Sequence, residues 1–344
     1  MFINDYLSPS FMVYLYRKRI GKKEYYYLRA SVKKGGKLVT KDIAYLGSDP
    51  SRIMERLEKL PKEYHKEIRK AYHTLNQFIE ANRYLKKAKA LKPKQYVLLT
   101  KEQLVQIEAC RLHWTNEMKR LDAQTKAETL KNFVVEFAFN TAAIEGNTIT
   151  LKEARNLLLE EKTPKDRSLR EIYDLQNTER VFFQLLEQLP DTTHGTIQDI
   201  HANLLQNIDK RTGYRTQDVR VFKARFRSTP APYVKTNMDL LLNWLQKNGK
   251  LHPLVLATAF HHKFEKIHPF MDGNGRTGRM LANLLLLKAG YPPLIYRKKH
   301  RKTYLAALAK ADEDDLEILE KECYSELMAF SVKEFTENYW NLFL

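Results

Sequence analysis

Residues 268–279 read HPFMDGNGRTGR, a histidine, an acid, two glycines around an asparagine, and two arginines three apart. A buried core segment has no use for that mixture, and a flexible linker does not need the charges. His268 can take a proton from an incoming hydroxyl near neutral pH. Asp272 is a hard oxygen ligand suited to a magnesium ion shared with phosphates. Gly273, Asn274 and Gly275 supply backbone N–H groups that phosphate oxygens can approach closely. Arg276 and Arg279 add charge and fixed donor geometry for further phosphate oxygens. Together these groups describe attack by a hydroxyl on a nucleotide phosphate. A lone GxG would be only a tight turn. The stretch is not a Walker A loop, lacking the GK[ST] ending, and a helix rather than a strand precedes it, so it is not a dinucleotide fingerprint.

The flanks show what must position these groups. Leu256, Phe260, Phe264 and Ile267 recur on one face of a helix that runs into His268, where Pro269 stops regular hydrogen bonding. RTGRMLANLLLLKAG is then expected as a helix, apolar nearly all round and ending at Gly290 ahead of Pro292 and Pro293. The motif is therefore a helix–loop–helix join with its glycines at the start of a buried helix. His261 and His262 lie at near-helical offsets from His268, but with no acid nearby to complete a ligand set they read as packed or capping histidines. Asn283, alone in an apolar helix, needs a hydrogen-bond partner, which is expected in the motif loop.

The stretch resembles the Fic family signature HPFx[D/E]GNGRxxR at every defining position. The resemblance implies a helical domain that transfers AMP from ATP to a Ser, Thr or Tyr hydroxyl of a target protein. By position, His268 would be the general base and Asp272 the magnesium ligand. Gly273, Asn274 and Gly275 would hold the α- and β-phosphates, Arg276 and Arg279 the outer phosphates, and Phe270 would anchor the loop. GYRTQDVRVF (213–222) resembles the family's flap hairpin, on which the target docks as an added strand. Residues 219–226 also read as a short hairpin by their alternation. Val221 and Phe222 would touch the nucleotide. Further on, GYPPLIYRKKHRKTYLAAL resembles the family's continuation, with Tyr304 bordering the adenine and Asp312 contacting the nucleoside. Two departures stand out: Pro230-Ala231-Pro232 replaces adjacent prolines, and Lys223, Arg225 and Arg227 make the flap unusually basic.

A second stretch, TAAIEGN (141–147), closes the helical run LKNFVVEFAFNTAAIE, with Gly146 suited to its C-terminal cap. An acid at a helix C-terminus is disfavoured by a few tenths to ~1 kcal/mol, so Glu145 is expected to face a cation. Thr141 lies one turn back on the same face. Thr150 and Glu153 read as a capping box for the next helix. TAAIEGN resembles the Fic inhibitory motif [S/T]xxxE[G/N], here N-terminal to the active-site motif. The resemblance implies that Glu145 pairs with Arg279 and takes space that the γ-phosphate needs. It leaves open a de-AMPylating activity or another nucleotidyl transfer on the same fold. It also implies that copies of the chain can pair as a homodimer.

The remaining features bound the rest. The expected fold is mainly α: a Fic-type helical domain with a short β-hairpin flap, preceded by a small antiparallel β domain. The chain divides into a basic β-meander at 1–48, a helical connector at 49–95 and the catalytic domain at 96–344, with an inhibitory helix at about 133–145. FMVYLYRKRI, EYYYLRASV and KLVTKDIAYLG are the three strands, with Gly21 and Gly35-Gly36 at the turns. Leu57, Leu60, Tyr64, Ile68 and Tyr72 give the connector a helical face, and Pro93 within LKPKQY marks its end. The net charge of +18 suggests an anionic partner. Basic residues among Tyr25, Tyr26 and Tyr27 suit either a nucleic-acid grip or the solvated face of a small sheet. The latter reading leaves the charge as ordinary surface; the former makes residues 1–48 the reader of a nucleic-acid-binding regulator. No apolar run approaches a membrane span, the longest, around Met280–Leu287, being broken by Asn283. With no secretory signal and only Cys110 and Cys323, a cytoplasmic location without a disulfide framework is expected.

Overall fold

The computed structural model of the 344-residue chain describes residues 11–21, 23–34, 37–219, 228–313 and 315–344. It forms two compact units that divide at Lys92 and Pro93. In the first, β1 (Met12–Ile20), β2 (Lys23–Lys34) and β3 (Lys37–Gly47) make an antiparallel meander in the order β1-β2-β3. Gly21, at φ +61°, supplies the left-handed turn between the first two. Alternation along each strand sends Val13, Leu15, Tyr26, Leu28, Ala30 and Leu46 to one face.

That face is closed by α1 (Ile53–Glu58), α2 (Lys62–Lys70) and α3 (Tyr72–Ala90), through Ile53, Leu57, Ile68, Leu75 and Ile79. The helices of the 49–95 stretch, expected as a connector, thus share one core with the sheet up to Lys92. The physical reason is that a three-stranded meander cannot bury its own apolar face. Tyr72, expected on the packing face, is exposed.

The second unit is helical: α4 (Lys101–Arg120), α5 (Ala123–Ile144), α6 (Leu151–Glu160), α7 (Leu169–Gln188), α8 (His194–Leu204), α9 (Val234–Lys247), α10 (Pro253–Ile267), α11 (Asn274–Lys288), α12 (Arg301–Ala311) and α13 (Lys321–Phe343). Capping boxes start three of them, at Thr100 with Gln103, Thr150 with Glu153, and Ser168 with Glu171. At its centre α10 packs along α11, whose residues from Asn274 to Leu284 are all buried. Gly278 permits this approach, because a methyl group there would lie 2.7 Å from His261 Nδ1 and 2.9 Å from Glu265 Oε1. α11 stops at Gly290, whose φ of +74° takes the chain out of the helix. Among the described residues, no helix is long and apolar enough to cross a membrane.

Candidate active site

The 268–279 motif joins α10 to α11, and its backbone is bent to do so. His268 caps α10 in the left-handed region (φ 54°, ψ 61°), an arrangement uncommon for a residue with a Cβ and found where surroundings hold it. Arg215 does the holding. Its side chain is fully enclosed; its Nε donates to the His268 carbonyl (2.8 Å), its main-chain N–H donates to the Pro269 carbonyl (2.9 Å), and Nη2 reaches the Ile267 carbonyl (3.4 Å). The same guanidinium donates to the carbonyls of Gln217 (3.0 Å) and Thr229, on either side of the segment expected to form the flap. Sequence reasoning quoted Arg215 within GYRTQDVRVF without giving it a role, since nothing local marks five convergent carbonyls.

On the loop itself Phe270 is fully buried and stacks on His201, with ring centroids 3.6 Å apart. His201 Nε2 donates to the Asp272 carbonyl at 3.0 Å. Asn274 folds its amide back onto Phe270, accepting from its N–H and donating to its carbonyl, both at 2.9 Å. The Asn274 side chain therefore shapes the loop rather than facing a ligand, and only its backbone N–H is left for a phosphate. The first bond within α11 is donated by Thr277 N–H to the Gly273 carbonyl (3.0 Å). Helix geometry leaves the N–H groups of Asn274, Gly275 and Arg276 ahead of it without an intrahelical partner.

Charges surround this nest. Arg279, 3% exposed, donates through Nε to Thr141 Oγ1 (2.7 Å) and through Nη2 to the Thr141 carbonyl (3.0 Å) and Glu145 Oε1 (2.6 Å). Burial opposes the guanidinium's charge, but the Glu145 carboxylate more than restores it and pushes its pKa further up. The Glu145 carboxylate also lies over the nest: a methyl group at Gly275 would collide with it and come within 3.0 Å of Arg279 Nη1. Arg276 is equally buried and is committed to Asp174 on α7, whose other oxygen accepts from Asn147 Nδ2 at 3.3 Å. Asp174 was invisible as a site residue in the sequence, one acid among many on a polar helix. Its burial raises its pKa even against Arg276.

Asp272 lies at the open edge, its side chain one-third exposed. Burial works against its charge, yet Arg276 and Arg170 outweigh that and hold its carboxyl below the usual range. One oxygen accepts from Gly273 N–H (2.6 Å) and the other pairs with Arg170. No cluster of three or more His, Cys, Asp or Glu able to hold a metal occurs among the described residues. A single ionised carboxylate beside a phosphate nest nevertheless fits magnesium, which keeps its waters and binds through one or two carboxylates plus phosphate oxygens. His268 is largely buried, and that burial lowers its pKa, with Arg215 adding to the effect, while the Glu265 carbonyl opposes it. Among the described residues, its Nδ1 finds no hydrogen-bond partner.

Residues 191–286 match the Fic/DOC family. The chain carries a Fic/DOC domain. Over 187 residues it is 31% identical to the protein adenylyltransferase fic-1 of Caenorhabditis elegans, covering 52% of this chain and 37% of that protein. It is 30% identical to the protein adenylyltransferase Fic of Drosophila grimshawi over 191 residues, 54% of this chain and 40% of that one. The chain thus spans about two-fifths of the length of these relatives. Its fold is like that of a Fic-domain signaling protein of Bacteroides thetaiotaomicron, with a TM-score of 0.62 at 21% identity over 68% of this chain and 95% of the other.

Other residues singled out in the sequence have these surroundings in the structure. Tyr304, expected beside adenine, is 1% exposed and bonds His261 Nε2 through its hydroxyl at 2.5 Å. Asp312, expected at the nucleoside, accepts from His262 Nε2 at 2.9 Å, while His262 Nδ1 meets the Tyr324 hydroxyl at 2.7 Å. His261 and His262 are packed, as expected. The tyrosine hydroxyl and the carboxylate each serve a buried imidazole, which must find a partner. Asn283 pins Leu294, exchanging bonds with its N–H (2.6 Å) and carbonyl (3.0 Å), and also donates to the carbonyl of Arg279, the last residue of the motif, at 3.2 Å. Val221 and Phe222 lie outside the described residues, as does the expected hairpin beyond Val219.

Proposed function

We propose that this chain is a magnesium-dependent protein adenylyltransferase held inactive by its own α5. The observation that carries the reading is the pairing of Arg279 with both Thr141 and Glu145 at the rim of the α11 nest. The nest and its arginines suit the triphosphate of ATP. His268, kept neutral by burial, accepts the proton as a target Ser, Thr or Tyr oxygen bonds to the α-phosphorus. The bond from that phosphorus to the bridging oxygen breaks, and pyrophosphate leaves with its electron pair. A magnesium ion bound at Asp272 would spread the phosphate charge. Asp174 and Phe270 fix Arg276 and the loop from behind, so that the donors are in place before reaction. A target backbone docks beside the 219–226 segment.

Glu145 restrains this chemistry by two physical means. It neutralises Arg279, the donor meant for the outer phosphate, and its carboxylate occupies the space above Gly275. The curated relatives that bear the adenylyltransferase name support the reading. Labelling with α-phosphate-labelled ATP in a cell lysate tests it. Glu145→Gly is expected to raise transfer at least ten-fold over the unaltered chain, and His268→Ala in that background to abolish it. Equal labelling of all three proteins would sink the proposal.

A further inference from the structure

The sheet of the first unit has a second face, and its composition is unusual for one turned to solvent. Tyr14, Tyr16 and Lys18 on β1 pair across with Arg29, Tyr27 and Tyr25 on β2, and Tyr27 pairs with Tyr45 on β3. Parity places these side chains opposite the buried set of Val13, Leu15, Tyr26 and Leu28, so one face carries five tyrosines. Antiparallel sheets commonly keep that face polar. Three of these rings touch, and a fourth carries a guanidinium. Tyr27 and Tyr45 have centroids 5.3 Å apart, Tyr25 and Tyr45 6.3 Å, and the Arg29 guanidinium lies 3.5 Å above the Tyr16 ring. Tyr45 is 55% exposed.

The charge matches the rings. Between residues 11 and 47 ten lysines and arginines stand against Glu24 and Asp42 alone. Both acids are already neutralised within the unit, Glu24 by Lys89 and Arg17 and Asp42 by Arg29. Lys18 and Lys23 are exposed and share the parity of the tyrosines, Lys18 standing opposite Tyr25. Flat aromatic faces interleaved with unopposed cations are what a polynucleotide with unstacked bases requires: rings for the bases, ammonium and guanidinium groups for the phosphates. A duplex offers phosphates but hides its base faces. An acidic protein offers charge but no repeated planar groups. The five phenol hydroxyls make no hydrogen bond within the described residues, and each can exchange one with a ribose 2′-hydroxyl, which DNA lacks.

We infer that the tyrosine face of β1–β3 is a docking platform for single-stranded RNA. It is independent of the adenylyl-transfer reading and does not involve the 268–279 site.

The test uses the full chain and fluorescence anisotropy with a labelled single-stranded U-rich RNA of roughly a dozen nucleotides, titrated across salt. The unaltered chain is expected to bind. Tyr45→Ala and Tyr27→Ala should each weaken binding about ten-fold, whereas Tyr45→Phe keeps the ring and most of the affinity. Lys18→Gln should reduce the slope of log affinity against log salt by about 0.7, one phosphate contact on a single strand. Circular dichroism of each variant guards against a folding defect, and Tyr45, being exposed, carries the test even where Tyr27→Ala unfolds. Absence of binding at low salt overturns the inference. So does unchanged affinity in Tyr45→Ala, which would leave only charge. Equal or tighter binding of duplex RNA, of heparin or of single-stranded DNA would overturn the assignment to single-stranded RNA.

Discussion

Arg279 and Glu145 meet at 2.6 Å across two helices that are 134 residues apart in the chain. The guanidinium is almost wholly buried and Glu145 is 42% exposed at the end of α5. Thr141, one turn back, takes two further bonds from the same arginine. The pair ties the second turn of the helix carrying the phosphate nest to the end of another helix.

That tie has a stability as well as a regulatory side. Glu145→Gly removes one partner from a buried cation but leaves the Thr141 bonds, and the lost carboxylate was partly solvated. A cost of about 1–2 kcal/mol is expected, read as a lowered Tm. MgATP should then raise the Tm of Glu145→Gly more than that of the unaltered chain, because ligand binding to the folded state stabilises it by mass action. Equal shifts in a thermal-melt comparison would mean that Glu145 does not obstruct the nucleotide.

The buried His268 predicts a pH profile. Its pKa is lowered in the folded chain, so the neutral ring that accepts a proton persists to lower pH than for a free histidine. Transfer by Glu145→Gly is expected to be flat around neutrality and to fall with acid only below the ordinary histidine range. An acid limb at or above that range, in rates measured under saturating MgATP, would contradict it.

Arg215 is expected to matter out of proportion to its distance from any phosphate. Lysine at this position keeps one charge but cannot span the carbonyls of Gln217, Thr229 and His268. In the Glu145→Gly background, Arg215→Lys should lower kcat about ten- to hundred-fold with little change in KM for ATP. A change confined to KM would assign the arginine to nucleotide binding instead.

Tyr304→Phe separates the expected adenine contact from the observed one. Loss of the hydroxyl leaves His261 Nε2 buried without its partner, at a cost of about 1–3 kcal/mol. Stability should fall while ATP affinity stays within about two-fold, less than ~0.4 kcal/mol. A selective loss of ATP affinity, measured by calorimetry on the Glu145→Gly background, would instead support the adenine contact.

Glu265, on α10 facing Gly278 of α11, has a side chain only 17% exposed, and burial pushes its pKa up to about 8, with Glu145 adding to the rise and Arg279 opposing it. Below the free value of 4.5 folded and unfolded states both hold the proton. Above it only the unfolded state releases the proton readily, so stability falls as pH rises until the folded group also ionises near 8. Each pH unit in that window is worth up to about 1.4 kcal/mol. Glu265→Gln should therefore melt higher than the unaltered chain at pH 8 and nearly level with it at pH 5. Identical differences at both pH values would show the carboxyl to be ionised throughout.

The sequence by itself determined what is local. HPFMDGNGRTGR specifies a histidine at a helix end and glycines at a helix start, because proline, glycine and helical periodicity act within a few residues. TAAIEGN specified an acid at a helix C-terminus in need of a cation, and the alternation of the first 47 residues specified a meander. Three-dimensional packing decided what is not local. It chose Asp174 as the partner of Arg276, gathered the carbonyls around Arg215, and turned Tyr304 and Asp312 inward to the buried histidines. It also put the helices after residue 49 onto the sheet. Each of these is an obligation of burial, a donor or apolar face that must find a partner wherever one is available. A chain written in one dimension records the need but not the distance at which it is met.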